Sequence, residues 1–478
     1  MNSALQSDYD VVVVGGGPGG STLSTLVALQ GYRVLLLEKE EFPRHQIGES
    51  LLPSTVHGIC RLLGVTDELA NSGFIKKRGG TFRWGLNAEP WTFDFSVSDK
   101  FSGPTSYAYQ VERMKFDKIL LDNARSKGVD VRERSEVVGV LEEEGRICGV
   151  QYDDAEGVRR DVRASFVADA SGNKSRIHKR IGGARKYSDV FQNIALFGYF
   201  TGGKRMPAPV AGNITCASFD LGWFWYIPLS DELTSVGAVL RREALERLQD
   251  GPRDKVLGGL IDECPLIADY LSEAERVTEG PYGQVRVRKD YSYIQEKFWR
   301  PGMVLVGDAA CFIDPLFSSG VHLSTYSALL AARSINTTLR GTIDEADCFR
   351  EYEARYRREY DVFHDFLVAF YDLQKDEHAY FHEAKSVIGS SASAAESFAE
   401  LVGGGASEEE VLIGTAPSFS QERRADLLER SRKIHWQGSR VQVQAHFGES
   451  VGDDPLYEGG LVESPDGMHW ARPEQPAS

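Results

Sequence analysis

The sequence predicts an α/β protein in which a parallel-sheet module is interrupted by an antiparallel sheet, resumes, and is followed by a mainly helical region. Three observations predict this order. Residues 9–40 run strand, glycine turn, helix, strand: "YDVVVV", "GGGPGG", "STLSTLVALQGY", "RVLLLEKE". Residues 186–284 turn to alternating strand patterns, among them "NIALFGYFTGG", "ITCASFD", "GWFWYIPLS" and "TSVGAVL". A strand–glycine–helix unit then returns as "GMVLVGDAACF" and "GVHLSTYSALLAARSINTTL". The parallel module therefore takes residues 1–75, 105–185 and 285–340, the antiparallel insert 76–104 and 186–284, and the helical region 341–478.

Each element has its own signal. The valine run of "YDVVVV" suits a parallel strand buried on both faces. Between about 105 and 180 come a helix, "ERMKFDKILLDNARSKG", and the strands "EVVGVLEE", "RICGVQYDD" and "ASFVADASG". In "GWFWYIPL", alternation puts Trp223 and Trp225 on one face and Phe224 and Tyr226 on the other, and Pro228 ends the strand. Tyr352, Tyr356, Tyr360, Phe363 and Phe366 recur at spacings of three and four, which predicts helix over 346–385. The small polar stretch "GSSASAAES" and the later "GGGASEEE" predict a flexible covering loop near 389–415. A charged helix is expected near 420–447 and an irregular tail after 449.

Composition narrows the function classes. With 478 residues the chain exceeds a single core. A net charge of −16 argues against nucleic acid or an anionic membrane as partner. The six cysteines are scattered without a C-x-x-C pair, which predicts reduced thiols and a cytoplasmic setting. The start "MNSALQSDYD" lacks a basic segment followed by an apolar one, and no apolar run approaches the ~20 residues of a membrane span.

"VVVVGGGPGGS" places Gly15, Gly17 and Gly20 in G-x-G-x-x-G spacing, with Pro18 inside the turn, directly after a strand and opening a helix. Such glycines permit the tight turn, close backbone approach to a pyrophosphate, and close helix–strand packing. Glu38 ends the next strand, where an acid takes a ribose hydroxyl pair. This is a Rossmann-like dinucleotide signature. The second glycine unit selects FAD: Asp308 stands at a strand end within reach of a ribityl chain, and Gly320 opens a helix towards a flavin pyrimidine. Asp308 as a plain helix cap is the competing reading.

The N-terminal turn, "GESLLPS" (48–54), "KRGGTFRWG" (77–85), "WFWYIP" (223–228), "GDAACFIDPLFSSGVHL" (307–323) and "GGLVESPDGMHW" (459–470) together resemble flavin-dependent halogenases, whose signature is W-x-W-x-I-P. The resemblance is closest to the carrier-protein-dependent phenol halogenases of glycopeptide-antibiotic assembly lines. It implies the FAD-binding fold of the aromatic-hydroxylase and monooxygenase type.

It also implies a chemistry. FADH2 and O2 give a flavin hydroperoxide, chloride attacks it, and the hypochlorous acid is relayed to a lysine. The matching residue is Lys77 rather than Lys76, on the spacing to "GGTFRWG"; a surface lysine is the plain alternative. Chloride is expected on the amides of Ser319 and Gly320, with Ser318 and Ser319 as simple caps the plain reading. Phe317 stands where tryptophan-type enzymes carry a glutamate, which fits a phenol. Trp223, Trp225, Pro228 and Phe317 form the expected substrate-side wall. Asp169, Arg44 and Arg113 match positions beside the cofactor, with internal salt bridges the alternative, and His322 and Asp314 are further catalytic candidates. The implied partners are a flavin reductase and a peptidyl carrier protein, docking on Arg241–Arg242, Arg286–Lys289 or Arg355–Arg358. The substrate is then a tyrosine-type or hydroxyphenylglycine-type residue in non-ribosomal peptide antibiotic biosynthesis. A single-component aromatic hydroxylase and a non-catalytic flavoprotein are the rival readings.

Overall fold

The structure is a computed structural model and describes residues 7–87, 89–407, 409–413 and 455–473. Valines 11–13 are fully buried, as a strand covered on both faces requires. The Tyr9–Val14 strand is the centre of the first sheet. It pairs in parallel with Val34–Leu37 on one side and with Arg159–Asp169 on the other, and that strand pairs in parallel with Met303–Leu305. The register sets Val14 against both Leu37 and Asp169, and Asp169 against Leu305. Four strands therefore end together, and Gly15, Glu38, Ala170 and Val306 emerge side by side. The crevice beyond such carboxyl ends is where open α/β sheets bind ligands.

The turn after the first strand admits nothing larger than glycine. Gly15 has φ +100°, and a Cβ there would stand 2.6 Å from the Ala170 carbonyl oxygen. A Cβ on Gly20 would stand 1.9 Å from the Gly15 carbonyl oxygen.

The second sheet has nine strands. Gly222–Pro228 lies antiparallel between Ile214–Phe219 and Leu233–Leu240, and Ile214–Phe219 continues in parallel to Gly79–Arg83. The long Arg185–Thr201 strand joins Leu233–Leu240 to Arg286–Gln295. The expected alternation is present. Phe224 and Tyr226 pack with Val236, Ala238, Leu257 and Leu260 in a second, smaller core. Trp223, Trp225 and Cys216 face the main core with Phe197.

Helices Ser319–Arg340, Glu345–Phe370 and Glu377–Ile388 build most of the described C-terminal region. The covering loop expected near 389–415 is corrected: Ala394–Val402 is a helix. Ser393 accepts from the Glu396 amide and Glu396 reaches back to the Ser393 amide, a reciprocal cap, while Phe398, Leu401 and Val402 are buried. Cap residues and loop residues are the same small polar types, so composition alone misassigns them. The charged helix expected near 420–447 lies outside the described residues. The chain returns as a two-stranded hairpin, Val462–Glu463 with Trp470–Ala471. Arg333, fully buried, ties it down through ion pairs to Glu409 and Glu463. All six cysteines are free thiols. Among the described residues no helix is long and apolar enough to cross a membrane.

Gly20→Ala drives a methyl into the Gly15 carbonyl and is expected to cost about 2 kcal/mol of unfolding free energy in a denaturant melt. Gly139→Ala, where a Cβ meets nothing within 4 Å, is the control and should move it by under about 0.5 kcal/mol.

Candidate active site

A cleft of about 660 Å³ opens along the strand ends. Gly15, Gly17, Pro18 and Glu38 line it together with Asp308, Ser318 and Gly320. Arg44 to Ser50 form one wall, while Trp223, Trp225 and Ile227 form the floor. Two helices begin at this cleft without a side-chain cap. The first starts at Pro18, whose missing N–H costs nothing at that position, with Gly17 before it. The second starts at Ser319 after Ser318, which has φ +61°. Neither serine hydroxyl caps it, so the reading of Ser318 and Ser319 as simple caps is set aside. Uncapped first-turn amides are unsatisfied donors at the positive end of a helix, where an anion is favoured. The residues present fit a bound FAD: one open helix for the pyrophosphate, Glu38 at the rim, and a cleft long enough to reach the second open helix. The Glu38 carboxylate is itself held in place by the Gly16 amide at 2.6 Å and the Glu40 amide at 2.8 Å.

Several expected site residues stand behind the cleft rather than in it. Gly20 is buried against Gly15 and serves the turn by close packing. Asp169 is fully buried and accepts from Ser171 and Ser175, so it shapes the Ala170–Gly172 turn that lines the cleft. Ser319 is buried with its hydroxyl unpartnered, while its neighbours Ser318 and Gly320 line the cleft. Pro228 shares the face of Phe224 and Tyr226 and points away from the wall; Ile227 takes that place on the floor. Phe317 packs in an aromatic layer, 5.0 Å from Phe366 and 4.8 Å from Phe370, beyond the cleft. Arg44 and Arg113 do line the cleft, and both also bind the buried Asp117. Arg113 further donates to the Ile47 and Gly48 carbonyls, so it holds the wall segment in place.

Lys77 and Lys76 sit next to each other on the Ile75–Lys77 strand and meet opposite environments. Lys76 is exposed over the Tyr107 ring, whereas Lys77 is 3% exposed. The surface-lysine alternative therefore falls. Lys77 Nζ donates to Ser50 Oγ at 2.9 Å and to the Leu51 carbonyl at 3.1 Å. Burial pulls its ammonium down to about 7, with no carboxylate to hold the charge. Ser50 lines the cleft, so one hydroxyl separates the cleft from the lysine.

Two hydrogen-bonded chains hold the indoles of the floor. Trp223 Nε1 donates to Tyr371 Oη at 2.7 Å, and Tyr371 donates to Asp314 Oδ2 at 2.8 Å. Asn193 reaches the same oxygen at 3.1 Å, and Asp314 Oδ1 accepts from the Leu316 amide at 3.0 Å. Burial raises the Asp314 carboxyl to about 6. Trp225 Nε1 donates to Ser235 Oγ at 3.1 Å. Asp314 is thus a support for the wall and the turn before the second open helix. His322 is fully buried between Ser54 Oγ (3.0 Å) and Glu359 Oε1 (2.8 Å), away from the cleft.

The sequence reading did not single out Glu49, His45, Tyr199 or Tyr371. Glu49 and His45 line the cleft. The signal for Glu49 was present in "GESLLPS", a carboxylate in an otherwise small and apolar segment. Two expected docking patches are also spent internally. Arg286 and Arg288 line the cleft, and Arg355 and Arg357 pair with Glu351 and Glu353.

Tyr371→Phe leaves Asp314 and the Trp223 indole each short of a partner, and a loss of about 2 kcal/mol in a denaturant melt is expected. For Lys77 the folded value lies below the unfolded one, so the unfolded chain binds the extra proton and stability rises from about pH 7 to pH 10.5. Lys77→Met should flatten that rise, which melting curves recorded across this window will show.

Residues 10–103 and 97–419 match the family model described as tryptophan halogenase. The chain is 36% identical over 386 residues to tryptophan 2-halogenase of Chondromyces crocatus, covering 80% of this chain and 72% of that one. It is 33% identical over 387 residues to flavin-dependent halogenase gsfI of Penicillium aethiopicum, covering 75% and 70%. Among solved structures, the myxobacterial chondrochloren halogenase CndH superposes with a TM-score of 0.77 at 49% identity, covering 98% of this chain and 100% of that one. These relatives are named halogenases, so the hydroxylase and non-catalytic readings are set aside. The chain therefore belongs to the tryptophan halogenase family and is an FAD-dependent halogenase that uses FADH2, O2 and chloride.

Proposed function

We propose that the enzyme chlorinates the carbon ortho to the phenol hydroxyl of a tyrosine-type or hydroxyphenylglycine-type residue tethered to a peptidyl carrier protein in non-ribosomal peptide antibiotic biosynthesis. FADH2 comes from a separate flavin reductase. The observation that carries the phenol reading is Phe317. It stacks on Phe366 and faces Phe370, Phe82 and Phe398, so no carboxylate at that position draws a proton from the arene. A phenol supplies that activation through its own hydroxyl. A carboxyl already held as a carrier thioester also spares the aromatic layer around Phe317 one of the two charges of a free amino acid.

When bound, the reduced flavin supplies the chemistry that turns O2 and chloride into hypochlorous acid. Everything else falls to this chain. The amides after Gly17, the Glu38 carboxylate and the Arg44, Arg113 and Asp308 side chains hold the cofactor, and the Ser319 and Gly320 amides hold chloride. Trp223 and Trp225 keep the arene out of the cleft and so suppress hydroxylation. Lys77 receives the oxidant beyond Ser50. Its ammonium donates a hydrogen bond to hypochlorous acid, or its free amine exchanges a proton for chlorine; a value of about 7 keeps both forms populated at neutral pH. Chlorine then forms a bond to the ortho carbon, and that carbon loses its proton.

The test is incubation with FAD, a flavin reductase, NADH, chloride and a tyrosyl carrier protein, followed by mass spectrometry. A chlorine isotope pattern on the tethered residue is expected; chlorination of free tryptophan alone would overturn the substrate assignment. Lys77→Ala should keep FAD bound and lose at least about 100-fold in chlorination. A Lys77→Ala enzyme that still chlorinates at the parental rate removes the lysine from the mechanism.

A further inference from the structure

The segment Gly48–Ser50 separates two buried titratable groups. Ser50 accepts from Lys77 on one side. Glu49 turns its carboxyl the other way, where Tyr199 Oη donates to Oε1 at 2.8 Å, and it lines the cleft. The chlorine-transfer steps assigned above make no use of Glu49. It is 2% exposed and has no ion-pair partner in hydrogen-bonding reach among the described residues.

The Tyr199 oxygen also meets His45 Nε2 at 2.8 Å. Tyr199 spends its own proton on Glu49, so at this contact the imidazole donates and the tyrosine oxygen accepts. The result is a directed chain from His45, half-buried at the cleft wall, through fully buried Tyr199, to Glu49.

We propose that Glu49 is the proton donor of the flavin cleft, giving its proton to the anionic oxygen left there when chloride is oxidised, and that Tyr199 and His45 reload it from solvent. This rests on the cleft being the flavin seat and does not depend on which arene is chlorinated. The balance is as follows. Dioxygen reduced by the flavin provides two joined oxygens; one leaves bonded to chlorine and the other is left anionic. The Glu49 O–H bond breaks as a new O–H bond forms on that oxygen, leaving a carboxylate. The Tyr199 proton then moves to Oε1, the His45 Nε2 proton moves to Tyr199, and solvent protonates His45 at Nδ1. One proton crosses from solvent to cleft, and no further oxidant is needed.

The charges around the chain agree with these roles. Arg113 favours the Glu49 carboxylate and Glu112 opposes it, while the Tyr199 and Ser235 hydroxyls support it; burial outweighs them and lifts the carboxyl to about 7. Tyr282 packs on Tyr199 at 4.4 Å and spends its hydroxyl on Glu112. Burial, with Arg286, Arg113 and Arg44 nearby, pushes His45 down to about 4, so it passes protons without storing one.

The experiment uses the full chain loaded with FAD. Infrared spectra across neutral pH should show a carboxylic-acid band that titrates in the parent, is absent in Glu49→Gln, and has a displaced midpoint in Tyr199→Phe. Hypochlorous acid is then scored with a small-molecule chlorine trap in place of the arene, after adding FADH2, O2 and chloride. Glu49→Gln should slow its formation about 100-fold with FAD still bound, and Glu49→Asp should recover part of the loss. Because the trap takes the place of the arene, this readout does not pass through the lysine, which separates failure of this assignment from failure of the lysine relay. A parent without a carboxyl titrating near neutral pH, or Glu49→Gln with the parental rate and pH profile, overturns the proposal. If Glu49→Gln does not hold FAD, Tyr199→Phe decides: an unmoved infrared midpoint and pH profile overturn it equally.

Discussion

The desolvated ammonium of Lys77 is the constraint around which the rest of the molecule is arranged. Burying such a group without a counter-charge costs several kcal/mol, and the protein meets the charge with the Ser50 hydroxyl, the Leu51 carbonyl and the face of the Phe95 ring. The dry layer that imposes this cost is made by the second sheet. Trp225, Cys216 and Phe82 stand in one row across neighbouring strands, and Cys216 is near enough to act on the lysine. Strand alternation explains why the adjacent Lys76 escapes it. The lowered ammonium of Lys77 is therefore a property of the sheet rather than of the residue.

The cofactor side obeys a different rule. Two helix N-termini are left open on this side, one after Gly17 and one at Ser319, and they converge because the parallel register ends four strands at one level. Buried acids and hydroxyls hold the loops between them: Asp117 clamps Arg44 and Arg113, and Asp169 shapes the Ala170 turn. The floor of the cleft is held from both ends in a similar manner. Asp314 secures Trp223 through Tyr371, and Ser235, beside Glu49, secures Trp225. A rigid floor between an oxidant source and an arene needs both indoles fixed, because an indole free to rotate opens the path it is meant to close.

Glu49 and Lys77 make a pair across one short segment. Burial raises the acid and lowers the base to the same region of pH, so each can carry or release a proton at neutrality. One faces the cofactor cleft and the other the layer beyond the floor. In the proposed scheme, oxidant formation and chlorine transfer fall to two groups separated by the Gly48–Ser50 backbone.

Much of this was legible in the sequence. The glycine turn, the two strand modules, Glu38 and the second glycine unit follow from local spacing, because turn sterics and strand periodicity are properties of neighbouring residues; Lys77 was singled out by the family resemblance, and only the fold shows it buried. The helix Ala394–Val402 was not, since its cap residues share a composition with loops. Nor were the places of Gly20, Asp169, Pro228 and Phe317: a motif gives the order of residues along the chain but not which of them faces a cleft. Tyr199, Tyr371 and Asp117 were invisible for the same reason, as each acts on a residue far away in sequence. By itself the sequence determined which backbone turns and strands can form. Only the tertiary structure decided which side chains lost water, and that loss is what pulls the Lys77 ammonium down and lifts the Glu49 carboxyl.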